Sequence, residues 1–455
     1  MQTNSSSDYM NYVKQMLDSF GLRPFTDVEI KRVLAPEFYE AVLNSIRSKV
    51  EGVDEDSKID IIKTDIPQIK SKQFEKVPVG EQIIACNLGG TIWKSSVISK
   101  TKSGVLEVQK EKKYVMPRKE RRCTFRQFIL RILKIVDGVW DKSMNQDITV
   151  LLSLAFPVQN KLIDDGIDAY FLRRKLPKSW NIIDFGEYKY PSYIGNLLRK
   201  NLLDKSFSFN FKNVYIINDT SCVVSFLPSD NEHKDIEKLP VGFVFSNGSN
   251  AAIRDLNLEV SKFIRPERFG LAELIHQKMM DLDLIHTKKK FIEHLTGGDY
   301  IRYRIAAAIS LLSDNEVMSK SIVEWIIDQP DEHFFSYFTD DKIGFKKFIK
   351  LDLNNFLDGF EVHYIYKVIK ECSYRATIQA GQSIGATIAC VTKAAGYKNG
   401  TKLIPIDGKV FWESEKIMEK AREVTDMLIE DNHMFFVKAP TLIGGSQLAM
   451  VLDNI

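Results

Sequence analysis

Apolar positions in residues 1–50 recur at helical spacing. Tyr12, Val13, Met16, Leu17 and Phe20 share one face, which predicts a helix. Pro24 interrupts it, and Asp27-Val28-Glu29 opens a second helix. Residues 51–80 are rich in Asp, Lys and Ser with scattered isoleucines and read as a connecting segment. At Ile83 the pattern changes. An apolar run reaches Leu88 and stops at Gly89-Gly90-Thr91, and Trp93 to Ile98 resumes it, the signature of two strands joined by a glycine turn. Phe125, Phe128, Ile129, Ile132 and Ile135 predict a helix over 124–136. Ile148 to Phe156 reads as a buried strand ending at Pro157. A helix over 193–203 then leads to a strand over 214–217.

The second half repeats the alternation. Val241 to Phe245 is an apolar run, and Leu271 to Ile369 is mainly helical with a break at Gly297-Gly298. Cys372 to Val391 is a long helix whose alanines and glycines permit close packing. Leu403 to Ile406 with Gly408 reads as a strand and turn, Phe435 to Val437 as a last strand, and Gly444-Gly445 as the lead into a final helix. Three strand ends carry small polar clusters: Gly89-Gly90-Thr91, Asn218-Asp219-Thr220 and Gly248-Ser249-Asn250. Ligands of α/β sheets bind beyond strand carboxyl ends, and a helix N-terminus at Gly444 adds N–H groups that favour anions. Two α/β lobes facing one cleft are therefore expected.

Composition narrows the chemistry. At 455 residues the chain exceeds one ordinary core. A net charge of +3 does not imply a nucleic-acid partner, and the basic clusters read as solvated faces. Five widely spaced cysteines without a CxxC pair argue against a disulfide framework or zinc site, and the seven histidines lack ligand spacing, so no protein metal site is expected. No secretory signal and no bilayer-length apolar stretch is present in the sequence, which points to a cytoplasmic protein.

The order of these motifs resembles the hexokinase family, within the actin-like ATPase superfamily, from about residue 80 onward. The resemblance implies a two-lobed, ribonuclease H-like α/β fold with a ligand cleft between lobes. It also implies ATP and Mg²⁺ as cofactors and a hexose as partner. The implied organisation is a helical segment 1–76 on the large lobe, a small lobe 77–217 joined by 438–455, and a large lobe 218–437.

What the resemblance implies for single residues is uneven. The family's first phosphate loop reads Asp-Leu-Gly-Gly-Thr-Asn-Phe-Arg. Here Gly89, Gly90 and Thr91 match, Asn87 replaces the aspartate and Lys94 the arginine. Lysine keeps the charge but not the bidentate fork. Asparagine keeps an acceptor but not the charge that organises hydrated Mg²⁺. The family's Ser-Phe-Pro sugar segment becomes Ala155-Phe156-Pro157, and its Thr-Lys pair becomes Leu172-Arg173. On local sequence alone Asn218-Asp219-Thr220 is explained by an Asx turn. In the family Asp219 would accept the sugar hydroxyl proton, Asn218 would touch sugar and Thr220 the phosphates. Gly248 and Ser249 would form the second phosphate loop, and Asn250 would contact sugar. One sugar glutamate becomes Arg265, with Glu267 or Glu259 as substitutes, whereas Glu293 is kept. Thr441 and Gly444 fall in the nucleotide region. Two functions follow: a sugar kinase with a degenerate site, or a catalytically inactive sugar sensor, scaffold or regulator with a protein partner.

Overall fold

The computed structural model describes all residues except 1–5, 49–58, 91, 173–179, 185–191, 204–206, 229–232, 234–235, 264–273, 287–289, 315–319, 329–358, 398, 431 and 455. Thr91, Arg173, Arg265 and Glu267 thus lie outside the described residues. Helix α1 (Ser6–Phe20) buries Val13, Leu17 and Phe20 and exposes Tyr12. After Pro24 a capping box forms: the Glu29 N–H donates to Thr26 Oγ1, and the Thr26 N–H donates to Glu29 Oε2. A π-helical stretch then runs into α2 (Ala35–Ser48).

Residues 51–80 are more than a connection. They hold strand β1 (Asp60–Lys63) and the short helix α3 (Ser71–Glu75). Four residues at a sheet edge show too little alternation to stand out among scattered isoleucines. There follow β2 (Gln82–Leu88), β3 (Ile92–Lys100), β4 (Leu106–Val115), α4 (Phe125–Asp137), β5 (Asp147–Leu154), β6 (Val158–Ile163), β7 (Gly166–Phe171), α5 (Ile194–Leu203) and β8 (Asn210–Asn218). These strands form a seven-stranded sheet in the order β4-β3-β2-β5-β8-β7-β6. Both faces of β2 are covered, Ile84, Cys86 and Leu88 in one core cluster and Ile83 and Ala85 in another. A strand buried on both sides reads as a continuous apolar run, which is why β2 is legible.

The chain continues through α6 (Asp219–Val224), β9 (Val241–Phe245), β10 (Ser249–Ile253), β11 (Leu256–Glu259), α7 (Phe291–Thr296), α8 (Gly298–Asp314), α9 (Gly359–Ala394), β12 (Gly400–Asp407), α10 (Glu415–Leu428), β13 (Asn432–Lys438) and α11 (Thr441–Asp453). Its six-stranded sheet has the order β1-β11-β10-β9-β12-β13. The largest core cluster joins this sheet to α1, α2, α8 and α9. Among the described residues no helix is long and apolar enough to cross a membrane.

One expected element is corrected. Gly444-Gly445 does not precede the last helix, because α11 already starts at Thr441 behind Pro440. A Cβ on Gly444 would lie 2.1 Å from the Cys222 carbonyl oxygen, so this glycine lets α11 lie directly on α6. Its residues Leu448 to Val451 join the core cluster that covers the Ile83 face of β2.

Candidate active site

Asp219 stands where β8 ends and α6 begins. The sequence produces this stop through Asn218, whose Oδ1 accepts the Thr220 N–H at 3.0 Å and the Thr220 hydroxyl at 2.7 Å. An asparagine N-cap satisfies helix N–H groups that have no partner within the helix. The Asn218 Nδ2 donates to the carbonyls of Leu154 and Phe156, each at 3.3 Å, and so ties the end of β5 to the start of α6. Asp219 Oδ1 accepts from the Thr220 N–H at 2.8 Å. Its carboxylate is thus held at a strand end by local hydrogen bonds. Thr220 is fully buried and also contacts Asn257 Oδ1 at 3.2 Å; it lines neither of the cavities described next.

A smaller cavity of about 100 Å³ opens on one side of Asp219. It gathers Phe156, Pro157, Asn218, Gly248, Ser249, Asn250 and Glu293, seven positions scattered over more than a hundred residues of sequence. Gly248 and Ser249, assigned to the phosphates by resemblance, line this cavity where the β9–β10 hairpin turns toward Glu293, and Ser246 and Asn247 of the same turn line the larger cavity described below. The Ser249 hydroxyl is paired with Thr296 Oγ1 at 2.5 Å. Asn250 Nδ2 donates to Asn257 Oδ1 at 3.1 Å and Glu259 Oε1 at 3.3 Å. Glu259 lines the cavity, so a carboxylate is present despite the arginine at 265.

Two lysines that sequence reasoning missed also line this cavity, Lys262 and Lys290. Lys290 Nζ donates to Glu293 Oε2 at 2.6 Å, and Lys262 pairs with buried Asp60. Lys290 has φ +83°, a left-handed conformation that is uncommon for a residue with a side chain. Next to Glu293, His294 shares a hydrogen bond of 2.8 Å with His276, and burial pushes its pKa down to about 3 with the positive neighbours adding to the effect.

A larger cavity of about 430 Å³ opens on the other side of Asp219. Gly89, Gly90, Lys94 and Thr441 line it, together with Asn87. The glycine turn is fixed from behind by two stacked tryptophans. Trp93 Nε1 donates to the Gly89 carbonyl at 3.0 Å and Trp180 Nε1 to the Gly90 carbonyl at 2.8 Å, with ring centroids 5.1 Å apart. Lys94 lies 3.7 Å from Glu111, a half-exposed pair. Asp407, missed in the sequence, ends β12 on the same wall. It accepts the Thr441 N–H at 2.9 Å and the Gly408 N–H at 2.8 Å. Gly408 has φ +116°, and a Cβ there would fall 1.9 Å from the Phe245 carbonyl, so glycine is required. An Asp-Gly pair after the apolar run 403–406 has the same form as the other three strand-end clusters and was the available signal. Gly444 lies inside α11 and does not line this cavity.

The donor set on this wall suits a polyphosphate. Lys94, Lys113 and Lys409 stand with Asp219, Asp407 and Glu111. No three His, Cys, Asp or Glu side chains gather to hold a metal among the described residues. Magnesium binds through one or two carboxylates and the phosphates of its substrate, so these residues fit a nucleotide that carries its own ion.

No family model matches the chain, and no curated protein sequence does. Solved structures do match. The hexokinase of Schistosoma mansoni complexed with glucose is 15% identical at a TM-score of 0.72, covering 97% of this chain and 99% of that one. A second structure, described as a hexokinase, is 12% identical at a TM-score of 0.71, covering 97% and 100%. Across nearly its whole length, the chain has the two-lobed actin-like fold of the hexokinases.

Proposed function

We propose that the protein is a hexokinase-like sugar kinase of the cytoplasm, transferring the γ-phosphate of ATP to the 6-hydroxyl of a glucose-like hexose or hexosamine. One observation carries this reading: Asp219 forms part of the wall of both cavities. A general base must lie within hydrogen-bond reach of the proton it takes. A sugar in the smaller cavity, held by Asn250 and Glu293, would present a hydroxyl to the Asp219 carboxylate. Asn218 spends its amide on the protein and so positions Asp219. Across the shared wall Gly89, Gly90 and Lys94 would face the phosphates. Magnesium arriving with the nucleotide supplies neutralisation of the phosphate oxygens. Phosphoryl transfer rests mostly on such positioning and charge stabilisation. Within this reading residues 77–217 with 438–455 make the small lobe and 218–437 the large one.

A specific set of observations favours a second reading, a sugar sensor or regulator without catalysis. Asn87 lacks the carboxylate charge, Lys94 is paired with Glu111, and Glu293 is already neutralised by Lys290. Trp93 and Trp180 lie behind the glycine turn, so tryptophan fluorescence reports ligands directly. Glucose, N-acetylglucosamine and ATP are titrated separately, and ADP production is then assayed with each sugar. ADP production abolished by Asp219→Asn is the expected result. Sugar binding without ADP production would overturn the kinase reading and leave the sensor.

A further inference from the structure

A third cavity, of about 260 Å³, lies apart from the cleft where the chain crosses between the two sheets. One wall is the segment 66–71, which leads from β1 of the six-stranded sheet to α3 in the core beneath α11. The other walls are the end of α6 and residues 238–240, which lead into β9. Its chemistry is one-sided. Lys70, Lys238 and Arg254 line it with the serines 71, 221 and 225, and no carboxylate does among the described residues. Neither the Lys70 nor the Arg254 side chain has an ion-pair partner among the described residues. Lys238 is partly buried, and its ammonium donates to the Val224 carbonyl at the end of α6. That bond occupies one of its three donors.

Buried charges are ordinarily paired, and the partly buried Lys238 ammonium has a carbonyl but no carboxylate partner among the described residues, while the exposed Lys70 and Arg254 add positive charge at the rim of the same cavity. We propose that this cavity is an anion site for a phosphate-class dianion, inorganic phosphate or a phosphate monoester. Lys238, Lys70 and Arg254 would supply the charge and Ser71 and Ser221 the hydroxyl donors, since the Ser225 hydroxyl already donates to the Ser221 carbonyl at 3.0 Å. Burial pushes the Lys238 pKa down to about 7, as expected for an ammonium without a counter-ion, and a bound dianion would reverse that shift. The site matters to the cleft because α6 runs from Asp219 at its first residue to Val224 at its last. An occupant would touch both chain crossings and the far end of the helix that carries Asp219. The binding itself does not depend on the kinase reading; the coupling to the cleft does.

The full chain is titrated with potassium phosphate against potassium chloride at matched ionic strength, by calorimetry and by melting temperature. Saturable binding is expected, weakened about tenfold by Arg254→Gln, the loss of one charge-assisted hydrogen bond, with a similar effect of Lys70→Gln. Lys416→Met, an α10 lysine paired with Glu419 away from the cavities, leaves it unchanged. Should Lys238→Met fail to fold, the two surface variants still decide. Displacement of phosphate by phosphorylethanolamine assigns the site to monoesters, and phosphate binding without displacement assigns it to the free anion; either supports the site. Absence of saturable binding overturns it. So does binding that Lys94→Met, in the larger cavity, abolishes and Arg254→Gln leaves intact. Because the readout is binding, a failed ADP assay and a failed anion site are told apart.

Discussion

Replacing Gly444 with alanine separates a packing role from a nucleotide-binding one. In a helix interior alanine is favoured over glycine by about 1 kcal/mol, so without contacts the change would stabilise α11. The contacts reverse the sign. The new Cβ would sit 2.1 Å from the Cys222 carbonyl oxygen, 3.0 Å from the Phe226 nitrogen and 3.1 Å from its Cα. All three are backbone atoms and cannot rotate away. A comfortable carbon–oxygen contact is about 3.3 Å, so α11 must withdraw from α6 by about 1 Å. That movement loosens Leu448, Ala449, Met450 and Val451, all buried. Overpacking of this kind costs typically about 1–3 kcal/mol, and a backbone clash belongs at the upper end, which leaves about 2 kcal/mol of net destabilisation. Gly445 is the internal control. Its Cβ would meet Leu151 Cδ2 at 2.7 Å and Cys222 Sγ at 2.8 Å, side-chain ends that can yield. Gly445→Ala is therefore near neutral, with an overpacking cost of about 1 kcal/mol against the propensity gain. Urea melts of the three proteins measure both effects, and ADP production at matched folded fraction follows. If Gly444→Ala keeps the wild-type midpoint and only weakens ATP binding, the packing explanation is wrong.

Two further outcomes test the cleft. Asn87→Asp restores a carboxylate on the wall facing Asp219 and raises magnesium-dependent ADP production about tenfold, the scale of one charge-assisted interaction; unchanged rates at saturating magnesium would show that position 87 does not limit the reaction. His294, held neutral in the fold with its pKa near 3, takes up a proton below pH 6.5 only when the chain unfolds. Stability therefore falls as pH drops from 6.5 toward 3, by up to about 1.4 kcal/mol per pH unit from this residue; urea melts at several pH values should show a shallower slope for His294→Asn than for wild type.

What the sequence disclosed follows from how each element earns its burial. Strands β2, β5 and β9 are apolar nearly throughout, because both of their sheet faces are covered, and they stand out in the sequence. Strand β1 is four residues long, and its place in the sheet comes from pairing with β11, far along the chain. The same logic divides the site. Asn218-Asp219, Gly89-Gly90 and Gly248 are legible because a strand must stop there in a recognisable way. Lys262 and Lys290 reach the smaller cavity only through tertiary packing, and nothing local distinguishes them from surface lysines. Gly444 was misplaced because two adjacent glycines suggest a turn. The constraint on Gly444 comes from Cys222, on a different helix.

The two cavities that share Asp219 can be judged apart. The smaller cavity is lined by Asn250, Glu293 and the Glu259 carboxylate, and Asn218 holds the junction of β8 and α6 beside Asp219 through four hydrogen-bond contacts. On the larger cavity the negative charge has been reorganised. Asn87 lies opposite Lys94 in the β2–β3 register, and Lys94 leans toward Glu111. Asp407 cannot simply replace the missing aspartate, because its oxygens already accept from Gly408 and Thr441 and thereby fix the start of α11. Withdrawing it to bind a cation would cost that anchor, since a helix N–H left without an acceptor costs about 1–3 kcal/mol when buried. On the proposed kinase reading, Asn87 would therefore weaken the phosphate side. The hydrogen bonds of Asn218 and Asn250 that shape the smaller cavity do not involve position 87.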